Sequence, residues 1–392
     1  MKSLGKFGKF GGMFVPEILY TALEELEEAF IKFKDDENFN KEFQYYLKNF
    51  AGRETPLYFA KNLSKKLGFK LYLKREDLVH GGSHKLNNTI GQALLAKKMG
   101  KKHFITETAA GQQGVATVMA GNAFGLKTKV FMGLKDTKRQ TLNAERIKLL
   151  GGEVIPVTRG HQVLKDAVDE ALVEWIVNNE TSHYVIGSAV GPHPYPTIVR
   201  HFQSIIGKEI KSQIMESEGK LPNKIIACGS GGSNALGAFY EFIDDEEVEL
   251  IFVEGGGKNA VDEKHAAAFF KGSPGVFQGA MTYMLQDEFG MDSKTESRAT
   301  GLNYPARGPE LSYLKDKGRM KTEYATDEEV LVAFQIMSKE EGILPAFETS
   351  HAIAYLLKLE GKLDKDEIVV LNFSGRGDKD VQSAINLLDI KV

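Results

Sequence analysis

The chain has 392 residues, 42% of them hydrophobic and 26% charged, with a net charge of −3 and one cysteine, Cys228. A single hydrophobic core rarely grows past ~250–300 residues, so two domains are expected, and the small net charge argues against a nucleic-acid or membrane-surface partner. One cysteine forms no internal disulfide, the histidines show no zinc spacing, no run approaches ~18 apolar residues, and Met1-Lys-Ser-Leu-Gly5 opens no apolar signal-type region; a cytoplasmic protein without a membrane span or a side-chain metal site is expected.

Leu23, Leu26, Phe30 and Phe33 recur at helical spacing among Glu24, Glu25, Glu27 and Glu28, which predicts an amphipathic helix. Short β-rich runs follow at Lys70–Lys74, His103–Thr106, Lys129–Met132, Glu153–Val157, Tyr184–Gly187, Lys224–Cys228, Leu250–Val253 and Ile368–Phe373. Between many of them lie helical stretches, among them Asn87–Met99, Thr137–Leu150, Val163–Val177 and Pro196–Ile214. This alternation predicts an α/β fold with mostly parallel sheets wrapped by helices. Several strands end in Gly, Ser or Thr, where open α/β sheets place their ligands. Residues 258–326 break the rhythm and, rich in Gly, Ser and Asp, read as a lid or binding loop. Cys228 closes an apolar run and reads as a buried strand thiol.

Three segments carry chemistry. In His80-Gly-Gly-Ser-His-Lys85-Leu-Asn-Asn88 a lysine follows a glycine turn that opens a helix. Such a lysine is ordinarily a surface residue, but near strand ends it can be desolvated, which lowers its pKa and frees the amine to attack an aldehyde. Gly229-Ser-Gly-Gly-Ser-Asn234 lies between the run Lys224–Cys228 and a helical stretch, Ala235–Phe242, and can turn backbone N–H groups toward a phosphate. It is neither the dinucleotide fingerprint, since Asn234 replaces the last glycine, nor a P-loop, since no Gly-Lys-Ser/Thr follows. In Asn372-Phe-Ser-Gly-Arg-Gly-Asp378, Ser374 falls at a strand end, where a hydroxyl can meet a bound ring.

Together these segments resemble those of fold type II pyridoxal-phosphate-dependent enzymes, most closely the tryptophan synthase β-chain family. The resemblance runs from Phe7-Gly-Lys-Phe-Gly-Gly-Met-Phe-Val-Pro16 through Tyr72-Leu-Lys-Arg-Glu-Asp77, Gly191-Pro-His-Pro-Tyr-Pro196 and Glu348-Thr-Ser-His351 to Asp380. It implies two α/β domains with pyridoxal 5'-phosphate between them. Residues 1–51 and 84–202 would form the N-terminal domain, with a mobile subdomain at about 100–187; residues 52–83 and 203–392 would form the C-terminal domain. It implies that indole and L-serine are joined to tryptophan by β-replacement, through an aminoacrylate intermediate.

The resemblance also assigns roles. Lys85 would hold the cofactor aldehyde and then act as general base, with His84 and the loop Gly229, Ser230, Gly231, Gly232, Ser233 and Asn234 at the phosphate. Ser374 would face the pyridine nitrogen, leaving the ring largely unprotonated and favouring β-elimination over transamination; Glu348 would lie near the cofactor. Glu107, in Thr106-Glu-Thr-Ala-Ala-Gly-Gln-Gln-Gly114, would be the second acid/base. Thr108, Ala110, Gly111 and Gln112 would receive the substrate carboxylate at a helix start, and Ala109, Gln113 and Asn303 would also bind substrate. Lys165 and Arg139 would belong to the closing subdomain, and Phe277 and Gln278 would gate an indole tunnel. A tryptophan synthase α chain in an α2β2 complex, a β–β homodimer, and a monovalent cation (Na+ or K+) on backbone carbonyls near Ser230, Tyr304 and Ala306 complete the implication.

The chain departs from the family pattern at Ala109, usually glycine, at Gln113, usually histidine, and at Ser230, usually glycine. A methyl at position 109 is costly only if the backbone there needs a positive φ. Asn303 stands where the family has an aspartate that accepts the serine hydroxyl, and Arg307 replaces a small residue four positions on. A neutral amide beside an arginine tolerates an anionic leaving group better than aspartate does, so use of O-phosphoserine or another serine derivative is an alternative expectation. A second alternative is a weakly active cofactor-binding chain that mainly activates a partner subunit.

Overall fold

The runs Lys70–Arg75, Lys224–Cys228, Glu249–Gly255 and Ile368–Phe373 are buried along almost their whole length, as strands must be when helices cover both faces of a parallel sheet. In the computed structural model, which describes residues 5–260 and 264–391, they form the centre of a six-stranded sheet. Its order is Met320–Ala325, Glu249–Gly255, Lys224–Cys228, Ile368–Phe373, Lys70–Arg75 and Leu57–Phe59. Every pairing is parallel except that of the edge strand Leu57–Phe59, which runs antiparallel to Lys70–Arg75.

A second, wholly parallel sheet orders Glu153–Val157, Lys127–Gly133, His103–Thr108 and Ser182–Tyr184. The expected strand at Tyr184–Gly187 therefore begins earlier and stops at Tyr184; beyond it Val185 N still bonds Ile105 O at 2.8 Å before the chain leaves the sheet. The expected helix Thr137–Leu150 divides at Gln140, whose φ of −123° and ψ of 46° interrupt the helical path. The expected helix Pro196–Ile214 is likewise two helices, Tyr195–Gln203 and Ile205–Glu218. The amphipathic helix spans Tyr20–Phe33 and buries Leu23, Leu26 and Phe30.

Residues 258–326 are more regular than a lid. Strands Ser273–Phe277 and Ala280–Met284 form a hairpin that continues a small antiparallel sheet begun by Lys6–Phe7 and Phe10–Gly11. Helix Pro309–Asp316 and strand Met320–Ala325 follow. The hairpin turn is Gln278-Gly279, both with positive φ (41° and 88°), which places a non-glycine residue in the left-handed region. Among the described residues no helix is long and apolar enough to cross a membrane, and no cluster of His, Cys, Asp and Glu could hold a metal ion.

Parallel strands point their C-terminal ends the same way. Thr108, Cys228 and Phe373 end their strands, and the loops that follow each of them converge on one cavity, the position where α/β sheets bind ligands.

Candidate active site

Lys85 is the first residue of helix Lys85–Lys98, directly after the turn that carries His84. A buried ionic cluster holds this helix start in place. Arg53 donates to Glu76 and Glu209 in two-pronged pairs at 2.7–2.8 Å and to Asn87 Oδ1 at 2.8 Å. Lys74 reaches Glu209 at 2.6 Å, and Asn87 donates back to Glu76 at 3.0 Å. Two cations and two anions balance, so the cluster is neutral and its members can be desolvated together. Gln203 continues it to the carbonyl oxygen of His84 at 3.2 Å. Arg53, Lys74, Glu76 and Glu209 were not singled out from sequence. The available signal was the charged run Lys74-Arg-Glu-Asp77 at the end of an interior strand, where apolar residues are expected.

The Lys85 amine lines the cavity and makes one long contact, to Gly187 O at 3.4 Å. Burial lowers its pKa below the ordinary lysine value, opposed by Glu107 and Glu348. A neutral, weakly held amine is the form that attacks an aldehyde or accepts a proton. Glu107, at the end of strand His103–Thr108, is pushed the other way: burial raises its carboxyl, while Tyr184 and Lys85 pull it down. Tyr184 stands close enough to act on this carboxyl, but its hydroxyl and Glu107 Oε2 make no hydrogen bond of full geometry among the described residues. Lys85 and Glu107 thus share one cavity with both shifts favouring their uncharged forms.

The glycine loop forms another wall. A Cβ added at Gly229 would come within 2.3 Å of the Phe252 ring, and one at Gly231 within 1.8 Å of Ser188 Oγ. Gly232 has φ +91°, and a Cβ there would stand 2.0 Å from Leu311 Cδ1. The packing therefore admits bare backbone only. Gly229 N bonds Val253 O at 3.0 Å, but the amides of Ser230, Gly231, Gly232 and Ser233 bond no acceptor among the described residues. Unpartnered N–H groups in a cradle without side chains fit a phosphate. Asn234 also lines the cavity. Its amide donates to Cys228 O at 3.0 Å and its Oδ1 accepts from Asn372 at 2.7 Å, so the side chain braces the loop. Ser233 Oγ donates to Gly187 O at 3.0 Å.

Ser374 lies at the opposite wall, its Oγ 2.8 Å from Thr349 Oγ1 and 3.5 Å from Cys228 Sγ. Burial pushes the Cys228 thiol up to about 12, so this group is uncharged throughout. Burial, with Lys85 alongside, drives His84 down to about 3, so its neutral ring donates Nδ1–H to Ser374 O at 3.0 Å. Burial also pushes Glu348 up, but Lys379 at 2.9 Å and the Gly301 amide at 2.9 Å outweigh it and leave the carboxylate below its usual range. Lys379 was not foreseen; it follows the last glycine motif and also pairs with Asp380 at 2.7 Å. A phosphate cradle, a free lysine amine and a neutral hydroxyl wall together fit pyridoxal phosphate.

The substrate-side expectations divide. Thr108, Ala109, Ala110, Gln112 and Gln113 line the cavity. Ala109 is not among the residues with positive φ, so its methyl causes no backbone strain. Gly111 is set back from the wall; with φ +85° it caps helix Gln112–Phe124, and a Cβ there would strike Asn143 at 2.2 Å. Gln113 donates to Thr117 Oγ1 at 3.1 Å, leaving its Oε1 unpartnered among the described residues.

Asn303 is set back from the cavity wall: its amide donates to Ser297 O at 2.8 Å after the tight turn Thr300–Leu302, while its Oδ1 is buried without a partner among the described residues. Arg307 is withdrawn too: it is fully buried and paired with Glu254 at 2.7 Å, so it offers no charge to an anionic leaving group. The argument for O-phosphoserine loses its basis. The carbonyls of Tyr304 and Ala306, expected to hold a monovalent cation, accept from Arg307 Nη1 at 3.1 and 3.0 Å.

Lys165 pairs with Asp169 at 3.2 Å and lines a second cavity with Phe277 and Gln278. Gln278, Leu172 and Pro192 line both cavities, so the two adjoin. Arg139 is exposed at the end of helix Leu134–Arg139, away from both.

Comparison with known proteins agrees with this site. A family model described as pyridoxal-phosphate dependent enzyme matches residues 49–375. The chain is 56% identical over 387 residues to tryptophan synthase beta chain 1 of Methanosarcina acetivorans, covering 98% of this chain and 96% of that protein. In fold it is similar to the crystal structure of a T.th. threonine deaminase, with a TM-score of 0.66 at 17% identity over 90% of this chain and 97% of the other. The processed form of threonine deaminase isoform 2 from Solanum lycopersicum gives 0.66 at 18% identity, over 99% and 93%.

Proposed function

The chain belongs to the tryptophan synthase β-chain family of pyridoxal-phosphate-dependent enzymes, and from that premise we propose that it condenses indole with L-serine to give L-tryptophan and water. The observation that carries this reading is the single cavity that holds the Lys85 amine, the Glu107 carboxyl, the bare-backbone loop and the neutral Ser374 wall.

Lys85 would hold the aldehyde of pyridoxal phosphate, which would supply an electron sink for charge developing at the substrate α-carbon. The chain's own residues do the rest. The amides of the 229–234 loop hold the phosphate, and neutral His84 fixes the turn before Lys85 to the Ser374 strand end. The start of helix Gln112–Phe124, with Thr108 and Ala110 beside it, receives the serine carboxylate. The Lys85 amine, which lines the cavity, would take the α-proton. Burial raises the Glu107 carboxyl, which suits it to give a proton to the departing β-hydroxyl; as a carboxylate it then accepts the indole N–H. Ser374 places no carboxylate at the ring nitrogen, which disfavours transamination.

Membership of this family carries partnership with an α chain. We propose an α2β2 assembly with paired β chains in the cytoplasm. Indole would enter from the second cavity past Phe277 and Gln278, and a subdomain of about residues 100–187, bearing Arg139 and Lys165, would close over the substrate. The purified chain, loaded with pyridoxal phosphate and given indole with either L-serine or O-phosphoserine, tests the reading. Tryptophan formed faster from serine is expected. Pyruvate without tryptophan, or a clear preference for O-phosphoserine, would sink it.

A further inference from the structure

Arg307 is a fully buried cation just outside the active-site cavity, and every nitrogen of its guanidinium is engaged. Nε donates to Glu254 Oε1 at 2.7 Å. Nη1 donates to Tyr304 O at 3.1 Å and Ala306 O at 3.0 Å, and lies 3.4 Å from Ser230 Oγ. Nη2 donates to Ala266 O. Three backbone carbonyls, a hydroxyl and a carboxylate therefore converge on one positive charge. Such a set of oxygens is what replaces the water shell of a dehydrated monovalent cation. Here the charge is covalently attached.

The counter-charge is built in as well. Glu254 is fully buried; its oxygens also accept the amide of Phe269 at 2.9 and 3.1 Å and that of Phe270 at 3.2 Å. A carboxylate pinned by two amides and a guanidinium cannot turn away to another partner. The guanidinium is covalently attached and every nitrogen is bonded, so the nest cannot exchange its cation with solvent. The nest also joins two walls of the active site. Ser230 belongs to the phosphate loop, and Tyr304 lines the cavity. An ion set between the Tyr304 and Ala306 carbonyls would have to share space with Nη1 or sit beside its full charge. The monovalent cation implied by the family resemblance does not fit.

We propose that the Arg307 guanidinium is a tethered substitute for a monovalent metal ion, bracing the phosphate loop against the 304–306 segment and making the enzyme indifferent to Na+ and K+. The catalytic consequence rests on the proposed β-replacement; the structural one does not. The holoenzyme, exchanged into tetramethylammonium chloride, is titrated with NaCl, KCl, CsCl or NH4Cl at constant ionic strength. Tryptophan formation, the visible absorption of the lysine-bound cofactor and the melting temperature are followed together. For the wild type all three stay level. Arg307→Ala leaves Glu254 with the Phe269 and Phe270 amides but no counter-charge and opens a space among the carbonyls, so its melting temperature and cofactor absorption fall in tetramethylammonium and recover with K+ or Cs+.

Wild-type enzyme that gains several-fold in rate, or several degrees in melting temperature, from K+ or Na+ overturns the proposal. So does an Arg307→Ala enzyme that folds and ignores every cation. Should Arg307→Ala not fold, Arg307→Lys keeps a charge in the nest and must stay cation-independent; a lysine variant that needs K+ counts against the idea. Absence of tryptophan in every buffer tells against the β-replacement reading instead, while absorption and melting still report on the nest.

Discussion

His84 Nδ1 lies 3.0 Å from the carbonyl oxygen of Ser374, so the residue before Lys85 is tied to the loop that ends the strand Ile368–Phe373. Burial, with Lys85 alongside, drives His84 down to about 3, although the bond to Ser374 by itself favours the protonated ring. His183 is held by burial at about 3, and burial and nearby cations take His201 to about 4. The unfolded chain protonates these rings near 6.5 and the folded chain does not. Their contribution to stability is therefore whole above about pH 6.5 and lost as pH falls toward about 3–4, at up to about 1.4 kcal/mol per pH unit for each ring. The apoenzyme should melt at steadily lower temperature across that window. His183→Gln, which keeps a donor for Gln92 Oε1 at 3.1 Å, should make the fall shallower; an unchanged slope would mean that His183 titrates normally.

Glu107→Gln should separate chemistry from folding. The substitution removes a proton donor, and turnover should fall by about a hundred- to a thousand-fold. It also removes a carboxyl whose Oε2 is buried without a partner among the described residues, so the melting temperature should hold or rise. Cofactor absorption should survive, because no phosphate contact is lost. Steady-state rates with indole and serine, measured alongside melting, check this; a variant that both melts early and loses the cofactor would place Glu107 in the framework instead.

Gly232→Ala tests the bare-backbone cradle. The methyl meets Leu311 Cδ1 at 2.0 Å from a backbone at φ +91°, so both space and conformation oppose it, at about 1–3 kcal/mol. The cost falls on the loop, and cofactor affinity should drop about tenfold or more. Absorption titration of apoenzyme with pyridoxal phosphate reads this directly. Wild-type affinity in the alanine variant would rule out the cradle as a phosphate site.

The legible parts of this molecule were those written in local pattern. The strand Ile368–Phe373 appears in sequence with its full extent because five of its six buried residues, all but Asn372, are apolar and β-prone. The loop Gly229–Asn234 was readable because its packing opposes a side chain at Gly229, Gly231 and Gly232. Arg307 shows where sequence misleads. Its number places it near Asn303, but its position in space is decided by Glu254, which lies 53 residues earlier in the chain. The hairpin Ser273–Phe277 with Ala280–Met284 was hidden by its turn, since Gln278 takes a φ that glycine usually supplies. Alternation of buried and half-buried residues along Ala280–Met284 was present in the pattern but is too short to stand alone.

Asp136 should act on stability in the opposite sense to the histidines. Burial, with Asp166 adding to it and Arg139 opposing, raises its carboxyl from 3.8 to about 7. A raised carboxyl binds protons in the folded chain that the unfolded chain has already released. Stability is then whole below about pH 4 and declines as pH rises through about 7. Asp136→Asn keeps the shape without the ionisation. It should narrow the gap in melting temperature between pH 5 and pH 8; equal gaps in the two proteins would mean that Asp136 stays ionised in the fold.

Arg53 offers the most severe test of how Lys85 is held. Its guanidinium bonds Glu76, Glu209 and Asn87 in a region with almost no solvent. Burial would raise the Glu76 carboxyl, but Arg53 and Lys74 more than reverse this and hold it at about 2. Arg53→Met fills similar volume yet leaves two buried carboxylates facing Lys74 alone. Breaking such a cluster from one side costs about 3–5 kcal/mol, whereas replacing all of it by apolar residues can be neutral. The melting temperature should therefore drop by several degrees. Asn87 loses a partner two residues after Lys85, so the helix start should loosen and cofactor absorption weaken even in protein that remains folded. Arg53→Lys restores the charge but not the two-pronged geometry, and should recover only part of the melting temperature. Full recovery with lysine would show that charge alone holds the lysine helix, and unchanged melting in the methionine variant would show that the cluster does not hold it at all.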